Sequence, residues 1–159
     1  MTVLCSLAGL MGVVYIGSDH GGFRLKQFLM ANAKPLGLAL VDIGPYSYEA
    51  DDDYPDYAEK LCKRVVGEGG KGILICRSGH GMAIAANKFR GVYAAVGWNE
   101  KSARAGKVDD NVNVLCLPAD YIKDDDAVAI IKAWAGARFS DEIRYARRLE
   151  KVRKLERSL

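Results

Sequence analysis

The chain has 159 residues, half of them hydrophobic and 27% charged, which fits a soluble globular domain with enough core to need no covalent staples. The formal net charge is only +3 and acids and bases are mixed along most of the chain, so neither nucleic acid nor an anionic membrane is implied as a partner. Four cysteines without a CxxC pair or a histidine cluster argue against a zinc site and a disulfide framework, and so for a reducing, cytoplasmic compartment.

Residues 1–11 are mildly apolar, lack a basic flank and are too short to span a membrane; they are expected to form a tail ahead of one domain over 12–159. Residues 13–16 are a short β-branched run ending at Gly17-Ser18-Asp19-His20-Gly21-Gly22. The apolar positions Phe23, Leu25, Phe28 and Leu29 then predict a helix. Residues 38–43 predict a second strand closed by Gly44-Pro45, and 46–54 a surface loop rich in Asp and Tyr. Pro55 opens a helix in which Tyr57, Leu61 and Val65 recur every fourth residue on one buried face. After a turn over 67–72, Ile73-Leu74-Ile75-Cys76 is continuously apolar, as expected of a strand covered on both faces. A glycine-rich turn leads into a small-residue helix over 82–88. Residues 92–96 and 112–117 predict the fourth and fifth strands, with a helix over 101–107 between them. Val128, Ile131 and Trp134 line a further helix, and a long charged helix begins at Ser140. Cys62 and Cys116 lie in apolar stretches and are expected to be small buried residues.

This alternation predicts an α/β fold of three layers, with a five-stranded parallel sheet, helices on both faces and an extended C-terminal helix. Ligands of such sheets bind beyond the carboxyl ends of the strands, where the strand order reverses. Asp19-His20 and Cys76-Arg77-Ser78 both fall at such ends.

Cys76-Arg77-Ser78-Gly79-His80-Gly81-Met82 is the segment richest in chemistry. Its glycines permit a sharp turn with exposed N–H groups, and a helix start adds partial positive charge, which together suit an oxyanion. The same field is expected to favour a thiolate at Cys76, with Arg77 adding to it if its head points inward. A thiolate beside an oxyanion pocket suits proton abstraction next to a carbonyl. The spacing departs from rival motifs. A Cys-x5-Arg phosphatase loop needs Arg where Met82 stands, a G-x-S-x-G elbow needs Gly where Cys76 stands, and no P-loop Gly-Lys-Ser/Thr is present. A structural turn around a buried cysteine fits the spacing equally well.

The stretch Gly17–Phe23, the triplet Asp53-Tyr54-Pro55 and the run from Gly72 through Cys76, Ser78, Gly79 and Gly81 to Ile84-Ala85-Ala86-Asn87-Lys88-Phe89 resemble the type B ribose-5-phosphate isomerases and the related galactose-6-phosphate isomerase subunits. The resemblance covers roughly residues 12–148. It implies a Rossmann-like fold and a homodimer or homotetramer whose active sites lie at the subunit interface, without metal or cofactor. It also implies an aldose–ketose isomerase of phosphorylated sugars, ribose 5-phosphate by default. Cys76 matches the family's cysteine base, with Met82 where other members place a Glu. Ser78 matches the hydroxyl that passes protons between the two oxygens, and the stretch Arg77 to Gly81, with Gly79, the loop that holds the enediolate. Asp19 matches a contact to sugar hydroxyls, His20 one near the phosphate, and Arg144 and Arg148 two phosphate-binding arginines. Tyr54 and Asp110 fall in matching substrate-binding segments. Residues 144 and 148 are one helical turn apart and share a face, so two guanidinium groups there can grip one phosphate; a solvated basic face is the plainer reading.

Two positions depart from the family's pattern. Its ring-opening His is Asp109 here, and a third phosphate Arg is Asp120. An ordinary Asp, with a pKa of about 3.9, serves as a base but poorly as an acid near neutral pH. His80, one of only two histidines, is the candidate to take over ring opening unless the substrate reacts in its open form. Either the substrate is placed differently or Asp120 points elsewhere. The alternatives are a non-catalytic sugar-phosphate binder and an isomerase of another four- to six-carbon sugar phosphate.

Overall fold

The computed structural model describes residues 12–158, so the expected tail over 1–11, with Cys5, lies outside the described residues. In chain order the strands are β1 (Val13–Ser18), β2 (Ala39–Asp42), β3 (Lys71–Cys76), β4 (Ala94–Val96) and β5 (Val114–Pro118). The helices are α1 (Phe23–Ala31), α2 (Ala33–Leu36), α3 (Tyr54–Glu68), α4 (His80–Ala86), α5 (Glu100–Asp110), α6 (Asp124–Ala135) and α7 (Ile143–Ser158). The strands form one all-parallel sheet in the order β2-β1-β3-β5-β4. Helices α1, α2, α5 and α6 cover one face and α3 and α4 the other, which is a three-layer Rossmann-like arrangement; α7 packs beside α5. Among the described residues no helix is long and apolar enough to cross a membrane.

Strand β3 shows why its sequence is apolar throughout. Successive side chains alternate between faces, so Ile73 and Ile75 enter the core under α1 and α6 while Leu74 and Cys76 enter the core under α3 and α4. Trp134 closes the first core, fully buried, with its indole N–H donating to the Val112 carbonyl at 3.0 Å. Cys62 and Cys116 are buried in the second core as the sequence implies.

The element boundaries differ from the expected ones where side chains compete for the backbone. Strand β4 starts at Ala94 rather than 92 because the Phe89 carbonyl takes the Val92 N–H at 3.1 Å and the Asn113 side chain takes the Tyr93 N–H at 2.8 Å. Helix α7 starts at Ile143 rather than Ser140, since the Ser140 hydroxyl accepts the Glu142 N–H at 3.2 Å and holds a turn there. The short helix α2 was not expected; it is a single turn closed by Gly37 at φ 68°. Helix α3 begins at Tyr54, one residue before Pro55, which moves Tyr54 out of the loop and into the first turn.

Candidate active site

The chain order reverses between β1, which is followed outward by β2, and β3, which is followed by β5 and β4. At that switch point the two strands leave the sheet side by side, and the Asp19 N–H donates to the Ile75 carbonyl at 3.2 Å. Only glycine fits at Gly22, because a Cβ there would collide with the Ile75 carbonyl of the neighbouring strand. The Asp19 carboxyl is 6% exposed and accepts the Gly22 N–H at 3.1 Å. Burial pushes it above the usual carboxylate range, against the opposing pull of that N–H.

Cys76 ends β3 with its side chain toward the α3/α4 core and 5% of its surface open. The next loop turns at Gly79, whose φ of 78° strongly favours glycine. This turn aims the Gly79 N–H at the Cys76 sulfur, 3.2 Å away. Helix α4 begins at His80, two residues earlier than expected, with Gly79 as its N-cap. The His80 N–H donates to the Ser78 hydroxyl at 3.4 Å, and the first-turn N–H groups of Gly81 and Met82 have no acceptor within a helix that starts there. The Tyr54 ring lies over Gly81 so closely that a Cβ would sit 2.9 Å from it. A sulfur, a hydroxyl and two free amides therefore lie together at one strand end. Elsewhere in the second core, burial pushes the Cys62 thiol up to about 12 and raises Cys116 well above its usual value.

His20 lies beside this loop, and its ring Nδ1 is 2.7 Å from Asp52 Oδ1. Burial and the Asp52 carboxylate push the nearby Tyr57 phenol up to about 12. The Arg77 guanidinium turns outward rather than over the sulfur: Nη1 is 3.5 Å from Asp120 Oδ2, with both side chains exposed. The Asp120 N–H also donates to the Arg77 carbonyl at 3.0 Å. Asp120 thus faces Arg77 through both its side chain and its backbone. Ser78 and His80 border a cleft of about 270 Å³ otherwise walled by Val96, Trp98, Pro118 and Tyr121. Trp98 and Tyr121 are 62% and 77% exposed.

Nine of the thirteen expected site residues meet at this end: Asp19, His20, Tyr54, Cys76, Arg77, Ser78, Gly79, His80 and Gly81. The other four do not. Asp109 and Asp110 end α5, next to the start of β5, whereas Cys76 pairs in register with Pro118 at that strand's far end. The four steps from Val114 to Pro118, at about 3.3 Å each, separate the two groups by some ~13 Å along the sheet alone. Asp109 borders a shallow surface with Lys101 and Arg104, and Asp110 shares a groove with Arg148 and Tyr93. On α7 the Arg144 and Arg148 guanidinium groups converge on the Tyr145 ring, 4.9 and 5.7 Å from its centroid, and Arg144 Nε is 2.8 Å from Glu142. Among the described residues no group of three or more His, Cys, Asp and Glu side chains is arranged to hold a metal ion.

Asp52, Trp98 and Tyr121 escape a reading of the sequence. Asp52 is one of three consecutive aspartates in a loop, and nothing local separates it from its neighbours.

A family model described as Ribose/Galactose Isomerase matches residues 14–152. The chain is 38% identical over 146 residues to the probable ribose-5-phosphate isomerase B of Mycoplasma genitalium, covering 91% of this chain and 95% of that protein. Among solved structures, ribose-5-phosphate isomerase B from Mycoplasma genitalium with bound ribulose-5-phosphate matches with a TM-score of 0.87 at 36% identity, covering 92% and 97% of the two chains. The type B ribose 5-phosphate isomerase of Leishmania infantum matches with a TM-score of 0.89 at 32% identity, covering 94% and 99%.

Proposed function

The chain belongs to the ribose/galactose isomerase family, and on that premise we propose that it is a sugar-phosphate isomerase interconverting an aldose phosphate and its ketose phosphate, ribose 5-phosphate and ribulose 5-phosphate by default. Cys76 takes the proton from the carbon next to the carbonyl. The N–H groups of the 77–81 loop hold the enediolate oxygen, Ser78 relays a proton between O1 and O2, and the proton returns to the neighbouring carbon. The observation that carries this reading is the Gly79 N–H directed at the Cys76 sulfur, at the switch point and beside Asp19. That donor gives an anionic sulfur a partner, and the free first-turn amides of Gly81 and Met82 lie two and three residues further on.

Asp109, Asp110, Arg144 and Arg148 enter the site from a second copy of the chain, since their own Cys76 lies at the opposite end of the sheet. Val152 and Leu155, 43% and 65% exposed and three residues apart, give α7 an apolar face with which to approach that copy. The two arginines and His20 then hold the phosphate away from the chemistry, so that its binding energy orients the reacting end. Ring opening falls to His80, exposed at the rim of the cleft beside Ser78, or the substrate reacts in its open form.

Incubating aldose and ketose phosphates with the protein in deuterium oxide tests the reading. An isomerase washes deuterium into C1 or C2, and Cys76→Ala lowers the rate by about 10²–10⁴, the usual worth of a positioned base. Binding without wash-in for every sugar phosphate would make the protein a non-catalytic binder. Equal turnover of a ring-forming sugar by His80→Ala would remove His80 from ring opening.

A further inference from the structure

The acidic loop between β2 and α3 carries a carboxylate that the chemistry above does not use. Asp52 sits among exposed residues, yet only 5% of its side chain is accessible. Its Oδ1 meets two nitrogens of one residue, the backbone N–H of His20 at 3.0 Å and the ring Nδ1 at 2.7 Å. Its Oδ2 is buried with no well-aligned hydrogen bond, although the carboxyl lies close enough to the Tyr57 phenol to raise its pKa.

We propose that Asp52 is the positioning residue of the site: it fixes the His20 imidazole in one orientation, with the proton on Nδ1, and so presents Nε2 to the sugar phosphate. A carboxylate oxygen can only accept, so Nδ1 supplies the hydrogen, and Nε2 is the ring nitrogen left free. Attachment at both the backbone and the ring restricts the side chain more than either bond alone. The loop itself is anchored from within, because the buried Lys26 ammonium donates to Asp42 and to the Pro45 carbonyl at 2.6 Å. His20 is anchored from the other side through Asp19, whose N–H is bound to β3. What Nε2 meets rests on the isomerase reading; the Asp52–His20 pairing does not.

The chain has two histidines, so a long-range proton–nitrogen spectrum of the His80→Gln protein reports His20 alone. At a pH where the ring is neutral, Nδ1 should be the protonated nitrogen, and Asp52→Asn should turn this into a mixture. In kinetics Asp52→Asn should raise KM about tenfold with kcat within about threefold, the loss of one charge-assisted contact in binding. Adding His20→Gln to Asp52→Asn should cost little more, because both act through one ring. A His20 ring protonated on Nε2 with Asp52 intact overturns the proposal, as do losses that simply add. The spectrum needs no change at Asp52 and no turnover, so failure of the isomerase reading and failure of this one are read separately.

Discussion

Replacing Lys26 by Met tests the anchor under the β2–α3 loop. The Lys26 side chain is fully buried, and its ammonium lies 2.7 and 2.8 Å from the two Asp42 oxygens and 2.6 Å from the Pro45 carbonyl. Methionine fills the same stem, so little cavity forms and the loss is electrostatic. Removing one partner of a buried pair costs about 3–5 kcal/mol. The Asp42 side chain is 21% exposed and still receives the Gly44 N–H at 2.8 Å, which favours the lower end of that range. The orphaned Pro45 carbonyl adds about 1 kcal/mol, for a total of about 4 kcal/mol. In a domain of this size that lowers Tm by about 8–16 °C. Urea unfolding followed by circular dichroism, with calorimetry, measures both quantities. Adding Asp42→Asn should recover about 1–2 kcal/mol, because the uncompensated charge is then gone. A loss below about 1 kcal/mol, or no recovery in the double variant, would refute the view that this pair holds the loop.

Burial raises the Asp19 carboxyl above its ordinary value of 3.8, so the stability of its neutral form is complete below pH 3.8 and is lost as pH rises through the folded-state value. Asp19→Asn removes that loss: it should melt above wild type at neutral pH, the gap closing below pH 3.8, while isomerisation falls about tenfold or more. Identical melting curves at neutral pH would contradict this. Gly81→Ala places a Cβ 2.9 Å from the Tyr54 ring while improving helix propensity, so unfolding should shift by no more than about 1 kcal/mol while KM rises about tenfold. An unchanged KM would exclude Tyr54 from the site. Of the two tryptophans Trp134 is fully buried and Trp98 62% exposed at the cleft, so a bound sugar phosphate should alter Trp98 emission, and Trp98→Phe should abolish the change. A signal that survives this substitution places the ligand elsewhere.

The layered fold was legible because it is written in local periods. The uninterrupted apolar run at 73–76 marks a strand buried on two faces, and the fourfold spacing of Tyr57, Leu61 and Val65 marks a helix with one buried face. The Cys76 loop was legible for a similar reason, since turn glycines and a helix start act within a few residues. Boundaries were less so: Asn113 and Ser140 satisfy backbone groups that a period assigns to a ladder or a helix.

Contacts between loops could be found only in three dimensions. That Asp52 meets His20, that Asp120 faces Arg77, and that Tyr54 covers Gly81 all depend on β1 and β3 being neighbours and on β5 lying next to β3. The same order sets Asp109, Asp110, Arg144 and Arg148 apart from Cys76 although the chemistry groups them together. Hydrophobic period and turn chemistry act over a few residues and encode elements one at a time. Strand order is decided by packing among all of them at once, and it alone determines which strand ends share a site.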